Sequence, residues 1–437
     1  MPSLKQQIDE RFNISALGST LGTEVLSGLA TYLSLAYIFI VNPAILSRAG
    51  IDVSAVFFAT VVASSLSTLI MGFYARLPFA LAPGLEMNSF FAVTVVGVLG
   101  FTWNEALGAV FWSGLLCILF TVLPIRKAII DSIPNGLKKA MAVSVGVFVL
   151  TIGLFLSGVA LFQDGRVAGF DFSLTPKSNA LMLGFAVSAV LGMRRLKIPG
   201  GMLVAIIVAT IYCKTQGITV TNPAQLSSNL FLAVGKLDLI PDNFIGFLPV
   251  ILVFFLLDFY GSIGKFIGLT ASTNLPQNGQ LPRIEKAMGV DAVGTVAGAL
   301  LGTSSIITYV ESSVGIATGG RTGIVAIVCG TLMLLSLAFT PIVGLVPVEA
   351  TAGILVYVGY LLMRDTWEEE GLTSFDITIA VVMGIISFIT FSLDKAMLLG
   401  FAAYTIHLLI GREKNLVLVT STALIAIAVI LPLALQK

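Results

Sequence analysis

Glu311 stands inside GTSSIITYVESSVGIATGGRTG, residues 302 to 323, a stretch otherwise apolar enough to lie in lipid. An ionisable side chain at membrane depth is costly and is kept where it meets a substrate, an ion or a water-filled cavity. A second such place is FALAPGLEMNSFFAV, residues 79 to 93, where Pro83 and Gly84 precede the polar pair Glu86 and Asn88. The third is ILVFFLLDFYGSIGKFIGL, residues 251 to 269. There Asp258 and Lys265 lie two helical turns apart and share a face with Gly261. A buried carboxylate can accept hydrogen bonds from N–H groups and can take up and release a proton. Glu311 and Asp258 are the candidates for both tasks. Lys265 has a plainer alternative, snorkelling to the membrane surface. No nucleophile–base pair, metal cluster or phosphate loop accompanies these groups, so an enzyme or a channel has little support. Gly319 and Gly320 before Arg321 form a turn between helices, since a Walker loop needs different spacing.

The elements that position these residues follow from composition. Of 437 residues 57% are hydrophobic and 11% charged, against roughly 25% charged in soluble chains. The lipid bilayer is therefore the expected surroundings, and a net charge of +1 gives no reason to expect nucleic acid. Cys117, Cys213 and Cys329 fall singly in apolar runs and read as small core residues. His407 is the one histidine, so no metal or haem is expected, and no cofactor. The polar N-terminal stretch MPSLKQQIDERFNIS lacks the apolar core of a cleavable signal.

Taking about 20 apolar residues per crossing, the first half offers seven spans, near 24–46, 54–73, 79–100, 104–123, 140–160, 179–194 and 198–214. The second half offers seven more, near 244–269, 287–303, 304–320, 321–340, 374–391, 395–411 and 415–434, with an extra apolar stretch at 347–364. Sliding the halves by about 220 residues carries span 1 onto span 8 and Pro83 onto Thr303. The same offset carries the amphipathic connector at 124–140 onto 347–364, which is therefore expected to be an interfacial connector. The result is an all-α membrane protein of fourteen transmembrane segments in two inverted repeats of seven, residues 1–220 and 221–437. The larger share of the 24 Lys and Arg then falls on the side of the N-terminus, which places both termini in the cytoplasm. Spans 3 and 10 are interrupted at matching places, by Pro83–Gly84 and by Gly302 with the cluster Thr303, Ser304, Ser305 and Thr308. Broken helices in corresponding positions point to a midplane binding site.

Together, TEVLSGLATYLSLAYIFIVNPAIL (23–46), LAPGLEMNSFFA (81–92) and the stretch around Glu311 resemble the AzgA-like purine permeases of the nucleobase-cation symporters. The resemblance runs over nearly the whole chain. It implies a core of spans 1–4 and 8–11 (residues 20–123 and 244–340) and a gate of spans 5–7 and 12–14 (140–216 and 374–434). It also implies short strands in spans 3 and 10, with a purine held between these and span 8, and proton coupling. On it Glu311 matches the family's span 10 carboxylate, Asn88 its span 3 asparagine, and Asn42 with Pro43 the end of span 1. Gly84, Ser304 and Thr308 join Glu86, Asp258 and Glu311 as expected substrate-binding residues. Such permeases reside in the cell inner membrane, and a homodimer is left open. The chain departs from the family's P-G-M-G-L-N and D-x-F-D-T-x-G-T patterns: an acid appears at Glu86, an amine at Lys265, and Gly261 replaces an acid. Two unmatched opposite charges at membrane depth are expected to form an ion pair.

Two functions compete. One is a proton-coupled importer of a purine or related nucleobase, whose N–H groups the carboxylates would accept. The other is an anion carrier on the same plan, with Lys265 and the half-helix N-termini holding a carboxylate or oxyanion. Three acids converging with one base favour the first.

Overall fold

Lipid offers the backbone no hydrogen bonds, so each apolar run must satisfy its own N–H and C=O groups, which a helix does. The computed structural model describes residues 4–123, 133–163, 166–173, 178–196, 201–217, 229–271, 283–339, 346–367, 371–390, 393–411 and 415–435. Helices α1 (Leu4–Phe12), α2 (Leu21–Leu35), α3 (Ile38–Leu46) and α4 (Val53–Ile70) lead to the strand β1 (Leu81–Pro83). The short helix α5 (Leu85–Ser89) then runs on as a wider π-helical stretch, Phe90–Val98. There follow α6 (Trp103–Val122), α7 (Asn135–Leu156), the hairpin β2 (Ala160–Gln163) and β3 (Arg166–Phe170), α8 (Asn179–Arg195) and α9 (Gly201–Thr215). The second half contains α10 (Phe244–Ala271), α11 (Ile284–Leu301), β4 (Ile306–Thr308), α12 (Ser312–Ala317) and α13 (Gly323–Leu335). It ends with α14 (Val348–Trp367), α15 (Ser374–Thr390), α16 (Leu393–Ile410) and α17 (Leu416–Leu435). Local signals set several starts: Asp52 accepts from the Ser54 and Ala55 N–H groups at 3.0 Å, and Thr102 with Glu105 forms a capping box.

Among the described residues four helices are long and apolar enough to cross a bilayer alone, and six further apolar helices are shorter. α13 packs on α2 and α4, α11 on α4 and α6, and α10 on α6 and α17. α7 packs on α14, α15 and α16, and α14 also on α8.

The stretch at 347–364 departs from its expected role. It belongs to the 20-residue helix α14, packed lengthwise against α7 with Ala350, Ala352, Ile354 and Leu355 buried. The approach is so close that a Cβ on Gly146 would lie 2.8 Å from the Gly359 carbonyl oxygen. Small residues lower the hydropathy of α14 while allowing this contact, so a helix made for packing reads as a weak apolar stretch. Since α7 and α14 begin at 135 and 348, the unmatched element in chain order is α15, standing where the first half has the β2–β3 hairpin. Among the described residues four helices thus follow α13, where a seven-span repeat leaves room for three. Of the connector expected at 124–140, residues 124–132 lie outside the described residues.

Candidate functional site

The two interrupted segments meet. β1 and β4 pair antiparallel, with Leu81 opposite Thr308, Ala82 opposite Ile307 and Pro83 opposite Ile306. Gly84 N–H donates to the Ser305 carbonyl at 3.0 Å and Tyr309 N–H to the Ala80 carbonyl at 2.9 Å, extending the ribbon at both ends. Two strands alone leave an edge that lipid cannot satisfy. On the β1 side Thr68 covers it, accepting from Leu81 N–H at 2.9 Å and donating to the Leu81 carbonyl at 3.1 Å. Ser312 accepts from Ala80 N–H at 2.9 Å. Tyr309 donates to the Pro83 carbonyl at 2.5 Å. Gly84 caps α5 where space is short: a Cβ there would meet Ile307 Cγ1 at 3.1 Å.

Because the strands are antiparallel, the chain after β1 and the chain after β4 leave the ribbon at opposite ends, carrying Glu86 and Glu311 respectively. Glu311 receives the Tyr37 hydroxyl on Oε1 at 2.6 Å, while its buried Oε2 has no hydrogen-bond partner among the described residues. Glu86 receives Lys265 Nζ at 2.6 Å, the two side chains being 8% and 16% exposed. Glu311 stands within electrostatic reach of both Lys265 and Glu86. Phe90 and Phe254 meet edge-to-face at 4.9 Å and hold the helix of Glu86 against α10.

Behind β4 lies a different arrangement. Asp291 Oδ1 accepts from Thr308 N–H at 2.8 Å and from the Thr308 hydroxyl at 3.2 Å, and its Oδ2 accepts from Ser262. Asp258 accepts from Thr295 at 2.8 Å and from Ser262 at 3.3 Å, and the same Thr295 hydroxyl lies 3.1 Å from the Ile306 carbonyl. Asp258 and Lys265, two turns apart on α10, therefore serve different neighbours: Asp258 ties α10 to α11 and β4, Lys265 reaches across to Glu86. Asn88 accepts from Ser304 through Oδ1, and its buried Nδ2 has no partner among the described residues. Asn42 donates to Thr60 at 2.6 Å and to Thr303 at 2.9 Å, binding the end of α3 to α4 and to the turn before β4.

Tyr37, Asp291, Ser262, Thr295 and Tyr309 were not singled out from sequence. Asp291 obeys the same rule that picks out Glu311, an acid within an apolar span. Tyr37 had a weaker signal, a hydroxyl needing a partner among apolar neighbours. Glu24 is also buried and accepts from Arg321 N–H at 2.9 Å and from Thr322 N–H at 3.1 Å, fixing the start of α13. Among the described residues no three His, Cys, Asp or Glu side chains group as metal ligands. His407 is stacked on Phe375 at 4.2 Å.

Comparison with known proteins supplies the family and the fold. The model of a permease family, Xan_ur_permease, matches residues 22–366. The putative permease MJ0326 of Methanocaldococcus jannaschii is 38% identical over 93% of this chain and 94% of its own length. The adenine permease AdeP of Escherichia coli K12 is 36% identical over 94% of this chain and 92% of its own. The guanine/hypoxanthine permease PbuG of Bacillus subtilis is 32% identical, with 92% and 94% covered. Among solved structures, the transmembrane domain of the cyanobacterial bicarbonate transporter BicA is similar with a TM-score of 0.63 at 16% identity, over 87% of this chain and 97% of that one. The murine anion transporter Slc26a9 is similar with a TM-score of 0.62 at 10% identity, over 94% and 73%. These two likenesses show the fold, a helical membrane protein of the inverted-repeat type. With its residues 22–366 matched by the family model and relatives aligned over 93% and 94% of its length, the chain belongs to the Xan_ur_permease family of membrane permeases.

Proposed function

We propose that this protein is a secondary transporter that imports a purine or related nucleobase by proton symport. The observation that carries the reading is Glu311: one oxygen is fixed by Tyr37 at 2.6 Å, and the other is buried at the end of the β1–β4 ribbon with no partner among the described residues. A buried carboxylate oxygen left unpaired is expensive, so it is kept for something that comes and goes. A proton taken up on that oxygen neutralises the buried carboxylate and leaves it an O–H donor with acceptor capacity to spare, so proton and base can be bound together, as symport requires. The curated relatives that carry adenine or guanine and hypoxanthine support the choice of base. In this reading residues 20–123 and 244–340 form the core and 140–216 and 374–434 the gate, which α14 joins through its contact with α7. Both termini face the cytoplasm from the cell inner membrane.

Uptake of labelled adenine, guanine, hypoxanthine, xanthine, uracil and sulfate into cells lacking their own permeases tests the proposal, together with acidification of the medium. Uptake of a base that rises with the inward proton gradient is expected. Sulfate uptake without base uptake would replace it with the anion-carrier reading. From the comparisons that alternative gains fold likeness alone, and the cation it needs, Lys265, is already engaged by Glu86.

A further inference from the structure

We propose that Glu86 is the second acid of the binding site: its carboxylate, brought in from the third span and held by Lys265, occupies the space over Gly261 and faces the bound base opposite Glu311. This rests on the nucleobase reading above. Among the described residues, a Cβ built on Gly261 would find nothing within 4 Å except Glu86 Oε1, at 3.8 Å. The room on that face of α10 is thus taken by a side chain from another span. Lys265 lies one turn beyond Gly261, so an acid rooted at 261 would reach the same ammonium in the favourable order, acid before base. One carboxylate position is therefore accessible from two backbones, and this chain fills it from the far one.

The pair is also open on one side. Glu86 and Lys265 keep 8% and 16% exposure, and among the described residues one of the three ammonium N–H groups is engaged. Glu86 Oε2 and the remaining N–H groups can offer an acceptor beside a donor, which suits the adjacent donor and acceptor on the edge of a planar heterocycle. Charge agrees: the pair is neutral as a unit, so a neutral base with one proton on Glu311 leaves the site uncharged, as a low-dielectric crossing requires.

Three variants test this: Glu86→Ala, Gly261→Asp, and the two together. Uptake of labelled adenine and hypoxanthine should fall roughly tenfold or more in each single variant. Glu86→Ala strands Lys265, and Gly261→Asp sets two carboxylates on one ammonium. The double variant should return to within about threefold of the parent, because the acid is restored from the other backbone. Thermal unfolding of the purified protein, without base and with it, reads the same geometry independently. The base-induced rise should vanish in Glu86→Ala and reappear in the double variant. A double variant no better than Glu86→Ala in uptake overturns the proposal, as does one that regains stability but not uptake, which would make the pair purely structural. If the parent takes up no base, the nucleobase reading fails instead, and the unfolding comparison without base still decides whether 86 and 261 share one position.

Discussion

Two groups of carboxylates lie within a few residues of β4, and they are built on opposite terms. Behind the strand, Asp258 and Asp291 are tied to Ser262, Thr295 and Thr308, and through Thr308 N–H to the backbone of β4 itself. At the ends of the ribbon, Glu311 and Glu86 each have one strong partner on one oxygen, Tyr37 or Lys265, and keep capacity in hand. The first group spends its hydrogen bonds on joining α10, α11 and β4. The second has its acids aimed but not saturated. In the function proposed above, charge at membrane depth is thus not one signal: it serves as scaffold where each oxygen is bonded and as a site where one is not.

The sharpest way to break this contrast is Glu311→Gln. Uptake should fall by about a hundredfold or more while the protein stays in the membrane, because a neutral amide is easier to bury than a carboxylate yet cannot carry the proton. Parental uptake with full abundance would place Glu311 with the scaffold. Asp291→Ala should do the reverse. It takes the acceptor from Thr308 N–H and the Thr308 hydroxyl and leaves Ser262 only its longer bond to Asp258, at a cost of about 1–3 kcal/mol per buried group left unpaired. Membrane abundance and the unfolding temperature should drop, and uptake per surviving molecule should change least. Loss of uptake at unchanged abundance would move Asp291 into the site.

Smaller effects sharpen the picture. Tyr37→Phe removes one hydroxyl from Glu311 and nothing else, so uptake should fall roughly tenfold, the value of one hydrogen bond to a charged group. Kinetics would show whether the loss is in KM or in turnover. Ser304→Ala should be milder still, about two- to threefold, since the Asn88 amide loses a neutral partner only. A larger effect would mean that Asn88 meets the base through an orientation that Ser304 sets.

Much of this was legible in the sequence where the signal is a cost. Glu311, Glu86 and Lys265 stand out because charge in an apolar run must be accounted for, and the side chains of the last two do meet. Pro83, Gly84 and Gly302 mark the interruptions because they weaken a helix. The illegible parts involve compensation. α14 hides because its glycines and alanines gain by contact with α7 what they lose in hydropathy. Asp258 shares a face with Lys265 by helical spacing, but spacing fixes only a face and not the partners, and its hydrogen bonds are made with Ser262 and Thr295. Tyr37 becomes visible only once α3 is seen to bring it to Glu311, since 274 residues separate the two in the chain.

The pairing of β1 with β4 also governs how the protein can be made. Residues 81–83 leave the ribosome long before 306–308, and at about 5–20 residues per second the interval is on the order of ten seconds or longer. Through that interval an extended stretch with open backbone groups belongs to a bilayer that will not tolerate it. It must wait in the insertion machinery, at the interface, or in a provisional embrace with α4, whose Thr68 can already hold Leu81. The two halves of one polypeptide can therefore zip together only once residues 306–308 have emerged. Truncation anywhere before residue 308 should yield a quality-control substrate, not a half-active permease.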